Sequence, residues 1–305
     1  MDFYTDNEWS FIQTMNGLLI LDKPAGVTSH DVVSLVRRAT GEQSVGHLGT
    51  LDPMATGVLP LLLGKYTRLA QFFGQADKHY TGTIRFGFAT DTYDADGVPT
   101  GEVRPLEYSL DGLRELAKGF HGVMEQVPPI FSAKKIDGTP AYKLARQGKE
   151  VKVKPARITI HNFELTGLEG DTASFVMHVS SGGYVRSVAH ELGQMAGCGG
   201  HLASLRRTQA GPFTLADAMT VEQLKEYATA EVIARYLPHP RTLLPEIPAV
   251  TADEASAGRL RNGMAANLPE FSNSQLVKIF TGPRELVGVG RRIAGTLIQP
   301  YVNLG

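Results

Sequence analysis

An aspartate set between a leucine and a proline, five residues after a histidine in a glycine-bearing loop, is the part of this chain best equipped for chemistry. Residues 44–63 read SVGHLGTLDPMATGVLPLLL. Pro53 biases Asp52 toward extended backbone and away from a helix interior. Gly46 and Gly49 leave the loop around His47 free to take positive φ or to admit a close neighbour. A carboxylate so placed has two uses. It can bond its own backbone, the commoner fate of an Asp-Pro turn, or it can face a substrate as a base or nucleophile.

The flanking sequence supplies elements able to hold that loop. Residues 16–26, NGLLILDKPAG, read as a short buried strand closed by a turn, which places Lys23 at a strand end. There it is a candidate substrate contact, with a plain surface lysine the alternative. Residues 28–41 predict an amphipathic helix, capped by Thr28 or Ser29, with Val32, Leu35, Val36 and Ala39 inward and Gly41 as stop. A short helix over 67–75 and a strand over 79–89 follow. In that strand Tyr80, Gly82, Ile84, Phe86 and Phe88 share one face. Helices are expected at 109–120 and 141–147, a hairpin from 155–168 and 171–180, and a helix opening at Tyr184-Val185-Arg186. Two short helices occupy 217–236. Pro238, Pro240, Pro245 and Pro248 then mark a linker, beyond which one helix and the strands LVKIF, ELVGVG and GTLIQPYV suggest a small β-barrel.

Composition narrows the class. With 305 residues, 42% apolar and 20% charged, the chain is long enough for one large and one small domain around a sizeable core. Cys198 is the single cysteine, which rules out an internal disulfide and a cysteine-based zinc site. The nine histidines show no paired ligand spacing, so no metal is expected. The start, MDFYTDNEWSFIQTM, is acidic where a signal peptide is basic, and no apolar run approaches a membrane span. A cytoplasmic protein with a frayed tail over residues 1–15 is expected. Net charge is only −1, but it is segregated. Residues 132–157 carry eight bases, Lys134 and Arg146 among them, against two acids, whereas residues 91–111 carry six acids against Arg104. Such runs are usually solvated faces; the sharper reading of the basic one is contact with an RNA backbone.

The string G-H-x-G-x-L-D-P-x-A-x-G-x-L-P, Gly46 through Pro60, resembles the active-site signature of the TruB family of tRNA pseudouridine synthases. Further strings agree: Asp77-Lys78-His79-Tyr80, the acidic loop 90–97, the PP-x-x-SA-x-K…Y-x-x-AR-x-G stretch over 126–154, Gly182-Gly183-Tyr184-Val185-Arg186, and Leu205-Arg206-Arg207-Thr208. The resemblance implies Asp52 as nucleophile, Arg186 paired with it, and Tyr80 stacked on the target uracil. It further implies His47 in the loop that meets folded-out RNA, Asp94 as a substrate contact, Tyr184 beside the base and Leu205 lining the pocket. Arg206 and Arg207 become phosphate or core-loop contacts, and Lys134 and Arg146 lie in an insertion that closes over the T arm.

The implied fold is α+β, a central mixed and largely antiparallel sheet flanked by helices, with a catalytic domain over 16–245 and a small PUA-like β-barrel over 248–305. The implied reaction isomerises uridine-55 of tRNA to pseudouridine without a cofactor, in a monomer. Two alternatives stay open: a synthase of the same fold acting on another RNA, and an RNA-binding or tRNA-folding protein whose catalysis is incidental. A glycosidase would need a second carboxylate to activate water, and the expected partner of Asp52 is a cation. Attack at ribose C1′ is preferred, with attack at uracil C6 open.

Overall fold

The computed structural model describes residues 15–132, 134–136, 138–147, 153–226 and 230–305. All but residue 15 of the expected N-terminal tail lies outside these residues, as do parts of the basic insertion.

A ten-stranded mixed sheet dominates. Across it run Met219–Thr220, Gly17–Lys23, Thr56–Leu63, Gly200–Ala210, Lys78–Phe86, Thr172–Val179, Ala156–Glu169 and Gly122–Gln126, with Val45–His47 and Phe213–Thr214 paired at its side. The LLIL run is continuous rather than alternating because both faces of its strand are covered. Leu19 and Leu21 point into one core with Val32 and Val36, whereas Leu18 and Ile20 point into a second with Tyr66 and Phe280.

The strand Thr56–Leu63 changes neighbours along its length, and this positions the aspartate loop. Thr56 and Gly57 pair in parallel with Arg206 and Arg207, while Leu61 to Leu63 pair with Val45–His47. Pro60, which cannot donate to a ladder, sits at the exchange. The loop over 48–55 emerges in the fork so formed. Gly57 is required there: at φ +103° a Cβ would stand 2.2 Å from the carbonyl oxygen of Arg207.

Local expectations hold closely for the helices. Ser29–Thr40 is capped by Thr28 in a reciprocal capping box with Asp31 and ends on Gly41 at φ 72°. Leu110–Ala117 is capped by Ser109, and Val185–Met195 begins directly after Tyr184. The expected helix over 67–75 divides into a 3-10 segment, Gly64–Leu69, and one α turn, Ala70–Phe73. The stretch after His201, recognised by motif alone, is an eleven-residue strand, Gly200–Ala210, in the middle of the sheet.

A separate five-stranded sheet, Ala249–Thr251, Leu276–Thr281, Glu285–Ala294, Leu297–Asn303 and Ala266–Asn267 in spatial order, curls into a half-barrel around the helix Glu254–Arg261. Its Phe280, Leu286, Val289 and Val302 join the second core of the large sheet. No described helix is long and apolar enough to cross a membrane.

Candidate active site

Asp52 is fixed by its neighbours' backbones. The buried Ser29 hydroxyl accepts from Leu51 N at 2.9 Å and donates to Leu51 O at 3.1 Å, so one side chain ties both polar groups of that residue. On the other side the Lys23 ammonium donates to the carbonyls of Pro24 (2.9 Å), Val27 (2.7 Å) and Pro53 (3.2 Å). Gly26 N adds a bond to Pro53 O. The turn itself is closed by main chain, Ala55 N to Asp52 O at 3.1 Å, which leaves the carboxylate to other work.

Lys23 is therefore no surface lysine. It has no exposed surface, and it clamps the turn instead of facing the cavity. Replacing it with methionine takes this donor from the carbonyls of Pro24 and Val27, Pro53 keeping Gly26 N, at an expected cost of about 2 kcal/mol. Urea unfolding checks this through a lowered midpoint at unchanged slope.

The Asp52 carboxylate meets Arg186 end to fork. Nε lies 2.9 Å from Oδ2 and Nη2 donates to Oδ1 at 3.2 Å. The Nε contact is an ion contact without hydrogen-bond alignment. Arg186 also donates to the carbonyls of Thr92 and Phe131, each at 3.0 Å, and its Nη1 stands 3.3 Å from Asp94 Oδ2. One guanidinium thus joins the aspartate turn, the acidic loop and the root of the basic insertion to the first turn of its own helix. Burial pushes the Asp52 carboxyl above its usual range, and Arg186 opposes this without reversing it. The side chain retains 32% exposure because it faces an open cleft rather than a sealed core.

That cleft holds about 550 Å³ and is lined by the aspartate loop, Tyr80, Tyr184, Leu205, Lys78, Arg207 and Lys134, with His47 at its edge. Tyr80 is 8% exposed on the strand Lys78–Phe86, and Leu205 is equally buried on the neighbouring strand. His47 is held below its ordinary pKa by burial, so it stands as a neutral ring, and its Nδ1 has no partner among the described residues. Tyr184 is placed by Gln126, whose amide accepts from its N–H at 2.7 Å and donates to its C=O at 3.0 Å. Nothing in the linear sequence singled out Gln126. Its signal is only that a fully buried amide must find both a donor and an acceptor.

Other expected contacts fall elsewhere. Asp94 is 4% exposed and lies behind the guanidinium, outside the cavity lining; its Oδ1 is taken by Thr92 Oγ1 and Asp96 N. Arg186 stands between it and the Asp52 carboxylate. Arg206 turns to the opposite face from Leu205 and Arg207, as strand alternation requires, and forks onto Asp22 at 3.1 and 2.6 Å. Of the pair, Arg207 is the core-loop contact, fully buried and bonded to Val58 O at 2.7 Å and Gly49 O at 3.1 Å. Lys134 lines the cleft and donates to Lys154 O at 2.7 Å, closing the base of the insertion. Arg146 ends the helix Ala141–Arg146; its side chain lies outside the described set. Linear spacing shows no metal ligand set, but the fold brings Asp77, His161 and His178 together across adjacent strands, an assembly that spacing cannot reveal.

Comparison with known families falls on these same residues. Residues 37–185 match the TruB family pseudouridylate synthase (N terminal domain), and residues 186–245 match the tRNA pseudouridylate synthase B C-terminal domain. The two meet beside Arg186, inside the site, and the chain belongs to the TruB family of pseudouridylate synthases, which are isomerases. Relatives carry the more particular name "tRNA pseudouridine synthase B". That of Solibacter usitatus is 42% identical over 94% of this chain and 99% of its own. That of Aquifex aeolicus is 39% identical over 93% and 98%. Among solved structures, the Cbf5-Nop10-Gar1 complex matches at TM-score 0.64 and 28% identity, over 93% of this chain and 80% of that one.

Proposed function

We propose that the chain isomerises uridine-55 in the T loop of tRNA to pseudouridine, with Asp52 as the nucleophile. The observation that carries the reading is the Asp52–Arg186 pair facing the cleft, beside an aromatic wall of Tyr80 and Tyr184. Support for tRNA as substrate comes from relatives of that name covering more than nine tenths of the chain.

A uridine in a folded loop must leave the stack to be reached. His47 fills the space it leaves, and Tyr80 stacks on the uracil, an interaction worth roughly 1–3 kcal/mol. Asp52 attacks ribose C1′: the C1′–O bond forms as C1′–N1 breaks, and the uracil anion departs. Arg186 keeps the carboxylate aimed and takes back its charge when the ester breaks. The uracil rotates and C5 attacks C1′, releasing Asp52. The C5 proton is then lost and N1 gains one, so no oxidant or cofactor enters. Among the described residues no second carboxylate lines the cleft with Asp52 to activate water, which favours re-addition over hydrolysis. Residues 16–245 act as the catalytic unit, and residues 248–305 as a further RNA contact.

Release of label from C5-tritiated uridine in an unmodified tRNA transcript tests the reading, with a transcript carrying cytidine at position 55 as control. Release from the first alone is expected. Release from neither would leave an RNA-binding protein, and equal release from both would assign another target uridine.

Two ionisations bracket the working range. Asp52 must be ionised to attack, and burial raises its pKa above the ordinary carboxyl value. Lys23 is drawn down to about 8, by burial first, against the pull of Asp52. Rate therefore rises with pH through a carboxyl ionisation displaced upward, then falls above about 8 as the clamp loses its charge. Single-turnover rates across this range check the shape. A rate still level two units above the Lys23 value would remove that lysine from the account.

The basic segment makes affinity depend on salt. If four of its eight bases reach phosphates, binding of a T-arm stem-loop weakens by about 50- to 150-fold between roughly 50 and 200 mM salt. Fluorescence anisotropy at several salt concentrations measures the slope; a flat line would place the insertion away from the RNA.

A further inference from the structure

Beside the cleft, on the outward face of the sheet, three histidines and an aspartate gather that the reaction above does not use. His178 pairs directly across strands with His79, and their rings stack with centroids 4.0 Å apart. The register between Ala156–Glu169 and Thr172–Val179 slips between Ile160 and Asn162, making His161 the extra residue of a β-bulge. Bulges re-aim side chains, and this one brings the His161 ring to 4.4 Å from that of His178. Asp77 closes the group. Its Oδ2 lies 3.1 Å from His161 Nε2 and 3.0 Å from His178 Nε2, and its own carbonyl is pinned by Gly211 N at 2.8 Å.

A carboxylate bridging two imidazoles would be an ordinary surface network if the rings were apart. Here three rings pack within van der Waals reach, and both Nε2 atoms converge on one oxygen. The donor atoms of Asp77, His161 and His178 lie within 4.8 Å of one another. Two of the separations are near the roughly 3.3 Å edge of a tetrahedron with bonds of about 2.05 Å, the spacing zinc requires. Two imidazoles and a carboxylate suit zinc, cobalt or nickel better than magnesium or calcium, which take oxygen. The stacked His79 fixes the plane of the His178 ring, the orienting role that outer residues play at metal sites.

We propose that Asp77, His161 and His178 form a binding site for one divalent transition ion of the zinc class, with a fourth coordination position open. The ion joins the segment before Lys78–Phe86 to the next two strands of the sheet. Lys78, adjacent to one ligand, lines the cleft, and Ser181, three residues from another, lines it too and ties to Gly74 O at 2.6 Å. The site therefore stiffens the cleft wall that carries Tyr80.

The test uses the full chain without an affinity tag, stripped with chelator and titrated with cobalt, then with zinc against a chromophoric competitor. One equivalent of cobalt is expected to give the intense visible band of a low-coordinate site, and zinc should displace it. His161→Ala and His178→Ala should each weaken binding by more than about tenfold, their combination should abolish it, and His30→Ala should leave it unchanged. Zinc should raise the melting temperature of the wild type and not of the double variant. Should that variant fail to fold, protection of His161 and His178 from diethyl pyrocarbonate by zinc in the wild type decides the same question. Binding without stoichiometry, binding that survives loss of both histidines, or no protection would overturn the proposal.

Discussion

Asp52→Asn is expected to lower single-turnover pseudouridine formation by at least about 10⁴-fold while leaving the protein folded and able to bind tRNA. The amide matches the carboxylate in shape but cannot form an ester at C1′, so the loss falls on the chemical step and not on binding. Stability should move the other way. A folded-state pKa raised above the unfolded value means that ionising Asp52 costs the folded chain more than the unfolded one at every pH above the ordinary carboxyl range. A neutral side chain removes that cost. Arg186 meanwhile keeps the carbonyls of Thr92 and Phe131 and the carboxylate of Asp94. The variant should melt at or above the wild-type temperature at neutral pH, with the difference shrinking as pH falls toward 4. Tritium release with thermal melts at two pH values reads both effects; appreciable residual release would move the nucleophile elsewhere.

The loop that carries Asp52 was legible because its constraint is local. Pro53, the glycines and the apolar strand behind them must follow one another in the chain, so the string itself carries the geometry. Helix ends were legible for the same reason, with Thr28, Ser109 and Gly41 acting on backbone a few residues away. What escaped the sequence reading is long-range. Ser29 reads as one of two cap candidates, yet it is the hydroxyl that holds Leu51, twenty-two residues on. Gln126 is only the first residue of the basic stretch 126–154 until Tyr184 is placed against it. Asp94 and Arg206 sit in the right motifs, but which face each side chain takes is set by strand register and by Arg186, neither of which a motif encodes. His161 meets His178 only through a bulge, a one-residue slip that alternation rules do not anticipate.

Arg186→Met is expected to damage stability and catalysis together, and its companions separate the two. The guanidinium side chain is 5% exposed and stands between two carboxylates, Asp94 at 6% and Asp52 at 32%. Without it Asp94 becomes a buried charge with no cation, at a cost of about 3–5 kcal/mol. Asp52 also loses the stronger of the two cations, Arg186 and Lys23, that restrain its rise in pKa, so the acid limb of the rate profile should shift to higher pH. Arg186→Lys keeps the charge but not a planar fork able to reach both carboxylates and two carbonyls at once; it should recover part of the stability and little of the rate. Adding Asp94→Asn to Arg186→Met removes the stranded charge, and the double variant should be more stable than Arg186→Met alone, with a coupling of 1 kcal/mol or more, about the range for residues in contact. Its rate should stay low, because Asp52 still lacks its orienting partner. Urea unfolding and single-turnover rates on the wild type, Arg186→Met, Asp94→Asn and the double variant form the cycle. Additive stabilities would mean that Asp94 is not held by Arg186, and full activity in the double variant would mean that the arginine serves the fold and not the reaction.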